Sequence, residues 1–456
     1  MDVVLLARAQ FAITTVYHFF FVPLTLGLSL LVAVLQTMWY KTGKAEYRAL
    51  TKFWGRLFLV NFAIGVVTGI VQEFQFGMNW SNYSAFVGDI FGAPLAIEAL
   101  LAFFMESTFL GLWIFGEGKI SPRIHTASIW LVAIGSNLSA IWILLANSFM
   151  QHPVGFTINN GRAEMQDFFA LATNPHIFLQ YPHVFFGGLT AAGFFMLGIS
   201  AWHLLRKPNN PTAAMFKTSF TLGAAAGLVG ALFVCMTGHM QGVSLAKNQP
   251  MKLAAAEAHY ETADPAGLSV FSIMDADKDE ELVSIRVPDL LSFMVYSKAR
   301  GEVKGMHQLN AEYQAKYGPG NYIPPVTLTY WSFRAMVGAG LLMIALAALA
   351  LYTSIRKVAV PHLLLAVLPW AIALPYLANS TGWLMAELGR QPWIVQGVMK
   401  VQDAASPSVG AISVLITVVG FTLLYAALIL TTIKLFRYHS AAGITAADLA
   451  GTSEIH

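Results

Sequence analysis

Nine separate runs of about 20 apolar residues mark out this chain, and a run of that length is what a helix needs to cross the hydrocarbon of a bilayer. They cover approximately 11–36, 53–73, 91–116, 125–150, 178–204, 216–236, 328–352, 361–381 and 409–434. The fold class that follows is all-α: a polytopic integral membrane protein of about nine transmembrane helices with one long extracytoplasmic loop. Composition agrees, since 11% of the residues are charged against roughly 25% in soluble domains. A net charge of +3 comes from short basic loops and implies no nucleic acid.

Lys and Arg in those loops set the orientation. Lys41, Lys44, Arg48 and Lys52 follow the first run, Lys119 and Arg123 the third, Arg206, Lys207 and Lys217 the fifth, Arg356 and Lys357 the seventh, and Lys434 and Arg437 the ninth. The alternation puts the N-terminus outside and the C-terminus in the cytoplasm. The chain then divides into helices one to six over 1–236, an extracytoplasmic loop over 237–327, helices seven to nine over 328–436 and a cytoplasmic tail over 437–456. The loop carries an acidic run, Asp275, Asp277, Lys278, Asp279, Glu280 and Glu281. Loops of such length are functional or disordered more often than not.

The single cysteine, Cys235, excludes intrachain disulfides, cysteine-held iron–sulfur clusters and thioether-attached haem. Any metal must use His, Met or carboxylate. Of the 12 histidines, most fall at helix ends, in the loop or in the tail, His239 and His456 among them. His18 and His183 lie well inside apolar runs, at roughly 10 Å and 8 Å below the outer edge by the helical rise. A histidine hydrogen-bonded between helices fits either one alone. Met336 lies at a similar depth, roughly 12 Å, two residues after an intramembrane Arg334. A His and Met pair is an axial set for low-spin haem, and Arg334 could hold a propionate.

Intramembrane carboxylates mark pathways or sites. Glu98 and Glu106 share the third run, about 12 Å apart along the axis and within about 80° of one face. They read as two stations of an inward-facing proton route, with Ser136, Asn137 and Ser139 of the fourth run as hydrogen-bond partners. The stretch Gly382 to Trp393, GWLMAELGRQPW, sets Glu387, Arg390, Trp383 and Trp393 at a membrane edge, where a cofactor site and an aromatic belt are both open readings. In the loop, PMKLAAAEAHYE has helical character: Lys252 could bind and Glu257 deprotonate a hydroxylated ring, and a solvated helix fits equally.

The stretches RAQFAITTVYHFFFVPLTLG, KFWGRLFLVNFAIGVVTGIVQEFQFGMNW, VGDIFGAPLAIEALLAFFMESTF, GSNLSAIWILLAN, KLAAAEA, YWSFRAMVG and GWLMAELGRQPW closely resemble subunit I of the cytochrome bd quinol oxidases. The resemblance implies three cofactors: low-spin haem b, high-spin haem b and the chlorin-type haem d. It implies His183 and Met336 as low-spin ligands, and His18 and Glu387 as proximal ligands of the two high-spin haems with Glu98 beside them. Arg8, Arg334, Trp383 and Arg390 match residues around the haems. Glu106 matches a proton-route carboxylate with Ser139 as its nearby serine, and Lys252 and Glu257 match a quinol-site pair in a Q-loop of the short type. The expected partners are a second large membrane subunit, often a very small single-helix one, quinol, oxygen and the lipid bilayer of the bacterial cytoplasmic membrane. The implied enzyme oxidises quinol outside, takes protons for oxygen reduction from the cytoplasm and builds a proton motive force without pumping. A secondary transporter coupled through Glu98 and Glu106, or a structural subunit, would be colourless.

Overall fold

The computed structural model describes residues 2–275 and 280–449; Asp277, Lys278, Asp279 and His456, named above, lie outside them. Among the described residues, nine helical stretches are long and apolar enough to cross a membrane, the number expected.

Four of the nine are interrupted near a proline. The first divides into α1 (Val3–His18) and α2 (Val22–Thr42). Pro23 stands in the opening turn of α2, where its missing N–H is harmless but its ring blocks a helix arriving from Phe19. His18 therefore ends a helix instead of lying well inside one. After α3 (Ala45–Met78), the third stretch runs as α4 (Ser81–Ile97), a π-helical segment over Glu98–Phe103, and α5 (Phe104–Phe115). Pro94 in α4 removes one donor from the ladder just before it widens.

Ser121 caps α6 (Pro122–Gln151), accepting from Ile124 N at 3.4 Å. The antiparallel strands β1 (Phe156–Asn159) and β2 (Arg162–Met165) and the short α7 (Phe168–Ala172) lead to α8 (Ile177–Arg206) and α9 (Ala213–Asn248). At 36 residues, α9 is about 54 Å long, well beyond the hydrocarbon. It carries Thr237 and His239, so the segment expected as loop from 237 opens as a continuation of this helix to Asn248. The loop is not a free coil: α10 (Pro250–Ala256), the hairpin of β3 (Leu268–Asp275) and β4 (Glu280–Val287), α11 (Leu290–Tyr296) and α12 (Met306–Tyr317) fill it. Met251, Ala255, Met306, Tyr322 and Trp393 form a small core there.

α13 (Val326–Arg356) returns across the membrane, followed by α14 (His362–Ala371) and α15 (Ala373–Leu388), which meet between Pro369 and Pro375. Strands β5 (Trp393–Val395) and β6 (Met399–Lys400) and α16 (Val401–Ala404) precede α17 (Ala411–Ala442). α18 (Ala446–Leu449) turns back onto α3, where buried Asp448 pairs with Arg56 and accepts from Thr445 N at 2.7 Å. The expected tail thus begins docked against the bundle.

The bundle is built around α8, which touches α2, α6, α9 and α14. A Cβ at Gly27 of α2 would collide with the carbonyl oxygen of Gly188 in α8, and one at Gly193 with the backbone of Gly227 in α9. Small residues are what let helix backbones close up where lipid supplies no hydrophobic drive.

Candidate functional site

His18 and His183 come from different helices and are held in the same way. His18 Nδ1 lies 2.8 Å from Thr68 Oγ1 on α3, and Thr68 Oγ1 donates to Gly65 O at 2.8 Å. His183 Nδ1 lies 3.1 Å from Thr237 Oγ1 on α9, which donates to Phe233 O at 2.8 Å. A hydroxyl whose proton is already committed can only accept, so each Nδ1 carries the hydrogen and each Nε2 presents a lone pair. Second-sphere partners fix the tautomer of ligating histidines in this manner. Both threonines are followed by glycine. A Cβ at Gly69 would lie 3.2 Å from His18 Cε1, and one at Gly238 would lie 3.3 Å from His183 Cε1. The Thr-Gly pairs at 68–69 and 237–238 were a signal in the sequence that went unread.

Met336 on α13 faces α15, where a Cβ at Gly382 would come within 2.6 Å of its sulfur. Two residues nearer the loop, Arg334 lies over the rings of Tyr330 and Phe333 at 4.7 and 4.9 Å. Its Nη2 donates to Glu257 Oε2 at 2.7 Å, while its Nε is buried without a partner. Glu257 also accepts from Ser269 N at 3.2 Å. Burial pushes this carboxyl up, against the opposing pull of the Arg334 guanidinium.

Glu387 ends α15 inside a ring of donors. Oε1 accepts from Asn147 Nδ2 and Gln151 Nε2, each at 3.1 Å, and Oε2 accepts from Arg390 Nη2. Arg390 Nη1 is buried and unpartnered. Gln151 then turns its oxygen to the loop, accepting from Lys252 Nζ at 2.6 Å and from Gln249 Nε2 at 3.1 Å. The Lys252 stem fits because residue 389 is glycine; a Cβ there would stand 2.7 Å from Lys252 Cγ. Burial, reinforced by the Arg390 charge and partly offset by Glu387, pulls the Lys252 ammonium down to about 7. A small cavity lies among Gln249, Lys252, Tyr322, Arg390 and Trp393.

Lys252 and Glu257 are thus not a face-to-face pair, since one end of α10 reaches Gln151 and the other Arg334. The short helix joins two clusters: Lys252, Gln151 and Glu387 on one side, Glu257 and Arg334 beside Met336 on the other.

The carboxylates of the third stretch both face α6. Glu106, 7% exposed, accepts from Ser136, and Glu98 accepts from Ser139 at 2.5 Å. Ser139, expected as the serine near Glu106, is hydrogen-bonded to Glu98, and the partner of Glu106 is Ser136. α5 and α6 run in opposite directions, so the later carboxylate meets the earlier serine. Gly135 permits the approach, with 3.2 Å from its virtual Cβ to Glu106 Cβ. The two serines stand one turn apart on one helix, which brings the carboxylates nearer than their backbone spacing suggests.

Trp383 packs between Phe11 and Phe19 of the α1 region at ring distances of 6.4 and 5.9 Å, whereas Trp393 stacks on Tyr322 of the loop at 5.7 Å. Arg8 on α1 makes no hydrogen bond to these residues among the described ones. His125, bonded to Gln36 and Trp113 O, and His203, bonded to Ser440 O, are partnered between helices. Among the described residues no three His, Cys, Asp or Glu side chains converge as an ion cage.

The chain matches the family described as cytochrome bd terminal oxidase subunit I over residues 6–444. It is 52% identical to the cytochrome bd ubiquinol oxidase subunit 1 of Bacillus subtilis, covering 93% of this chain and 91% of that one. It is 38% identical to the cytochrome bd-II ubiquinol oxidase subunit 1 of Escherichia coli, over 89% and 90%. The solved bd oxidase of Geobacillus thermodenitrificans superposes with a TM-score of 0.86 at 30% identity, over 96% of this chain and 99% of that one. With a match along nearly its whole length, the chain belongs to the cytochrome bd terminal oxidase subunit I family.

Proposed function

We propose that this subunit oxidises quinol at the loop between α9 and α13, on the outer face of the bacterial cytoplasmic membrane, and reduces oxygen to water with protons drawn from the cytoplasm. The quinol class is supported by the names of the relatives, two of which are called ubiquinol oxidases and one a putative menaquinol oxidase. The observation that carries the reading is the shared Thr-fixed tautomer of His18 and His183. It prepares one Nε2 lone pair on each, which is useless for interhelical packing and suited to a macrocyclic iron that brings its own four nitrogens.

The residues fit haem. His183 and Met336 would ligate low-spin haem b, and His18 and Glu387 would be proximal ligands of high-spin haem b and haem d. The unpartnered Arg334 Nε and Arg390 Nη1 are free to meet propionates, with Arg8 on α1 and Trp383 packed on Phe11 of the same helix as further residues around the haems. When bound, the haems carry electrons from quinol to oxygen. Lys252 would donate a hydrogen bond to the quinol, and Glu257, its carboxyl raised by burial, would take up a proton released on oxidation. Asn147, Gln151 and Arg390 hold Glu387 in place. Glu106 with Ser136 and Glu98 with Ser139 would pass protons inward to the oxygen-reducing centre. Each charge so separated stores about 2.3 kcal/mol per 100 mV, without a pump. A second large membrane subunit and a small single-helix one would complete the enzyme.

The test is the reduced-minus-oxidised spectrum of the purified complex. His183→Ala and Met336→Ala should each remove the low-spin bands and leave the high-spin bands largely in place. A normal low-spin spectrum in both variants, or a colourless wild type, overturns the reading.

A further inference from the structure

The hairpin of β3 and β4 is inside out. In a two-stranded sheet residues alternate between faces, and paired residues share one. Here one face pairs Ser269 with Arg286, Ser272 with Ser284 and Met274 with Glu281. The β3 side of that face turns inward, with Ser269 and Ser272 fully buried and Ser269 Oγ 2.9 Å from Tyr330 Oη; on β4, Ser284 is exposed, while Arg286 reaches in to donate to Glu281 and to Ala258 O at 3.1 and 2.9 Å. The other face pairs Leu268 with Val287, Phe271 with Ile285 and Ile273 with Val283. It turns outward, with Ile273 45%, Val283 49% and Ile285 59% exposed. At the two bulges, Val270 and Leu282 are exposed as well. Contiguous apolar surface of this kind marks an interaction site.

Its position says with what. Phe271 meets Trp331 edge to face at 5.4 Å, and Trp331 stands near the loop end of α13. From Leu328 and Trp331 an exposed apolar row continues along α13 through Leu342, Leu349 and Tyr352, the spacing of one helix face turned to lipid. The outward face of the hairpin prolongs that row beyond the end of the helix, with a Trp at the junction, where indoles sit at the membrane surface. A two-stranded ribbon has open edges and cannot enter the hydrocarbon, but it can lie on it. Asp275 and Glu280 close its polar end.

We propose that the β3–β4 hairpin rests its apolar face on the lipid of the loop-side leaflet, forming the wall between the bilayer and the Glu257 and Arg334 cluster. The occupant of the face is lipid. The docking does not depend on the quinol reading, although a lipid-dissolved substrate would then reach the cluster beside this wall.

The intact complex, with Cys235→Ser as background, is labelled with a fluorophore at Val283→Cys and reconstituted in phosphatidylcholine vesicles. Ile285→Cys on the same face serves as a second variant, and Glu261→Cys, whose side chain is 81% exposed, as the water-facing control. Lipid-borne nitroxide should quench the labels at 283 and 285 severalfold more than the control, and aqueous iodide severalfold less. Equal access of iodide to all three positions overturns the proposal by placing the face in water. Shielding of 283 and 285 from both quenchers overturns it by showing that protein covers the face.

Discussion

Gln151 belongs to none of the motifs in the sequence, yet it joins the loop lysine to the acid at the end of α15. It is 2% exposed, donates to Glu387 at 3.1 Å and accepts from Lys252 at 2.6 Å. Gln151→Leu keeps much of the volume and removes both bonds. A hydrogen bond to a charged group contributes about 1.5–3 kcal/mol. The Lys252 ammonium, 3% exposed, would lose that amount of positioning, which at 1.4 kcal/mol per decade is about a 10- to 150-fold rise in quinol KM. Glu387 keeps Asn147 and Arg390 as donors, so haem content should hold while the high-spin bands shift. Gln151→Glu separates the two roles: a carboxylate still accepts from Lys252 but repels Glu387, so KM should stay near the wild-type value and the high-spin bands should move. Steady-state quinol kinetics and the reduced-minus-oxidised spectrum read both. An unchanged KM with unshifted bands in Gln151→Leu would refute the link.

Thr237→Val should leave His183 free to present either tautomer and lower the low-spin haem content, with Thr237→Ser restoring it; equal spectra in the two variants would sink the tautomer argument. Glu106→Gln should keep folding and haem content but slow oxygen turnover and proton uptake from the inside in vesicles, and full turnover there would mean that protons travel elsewhere. Lys252 is depressed to about 7, so its hydrogen-bonding ammonium is present below that pH and lost above it; quinol affinity should weaken as pH rises through 7, and Lys252→Met should abolish that dependence. The same depression means that the unfolded chain holds the extra proton between about 7 and 10.5, so the folded state gains stability as pH rises across that window. Lys252→Met should therefore raise the unfolding temperature more at pH 6 than at pH 9, and a uniform effect would contradict the burial.

The nine crossings could be read from the sequence because a helix in lipid satisfies its own backbone, so hydropathy along the chain reports it directly. Proline marks the break after His18, once one looks at Pro23 instead of the apolar run around it. The residue types at 18, 183, 336 and 387 stood out for a related reason: polar or soft side chains at membrane depth are costly and few. What lay beyond the sequence depends on how one helix is rotated and slid against another. Ser136 rather than Ser139 meets Glu106, Thr68 and Thr237 face the two histidines, and Gln151 finds Lys252 a hundred residues later. Lys252 and Glu257, close in sequence, diverge because α10 ends between them. The length of α9 past the hydrocarbon, and the hairpin with its apolar face outward, were hidden because a hydropathy profile records how apolar a segment is and not which way it faces. Composition determined that this chain lives in a membrane; only the tertiary register decided which donor meets which carboxylate, because that choice is made by contacts between helices and not within them.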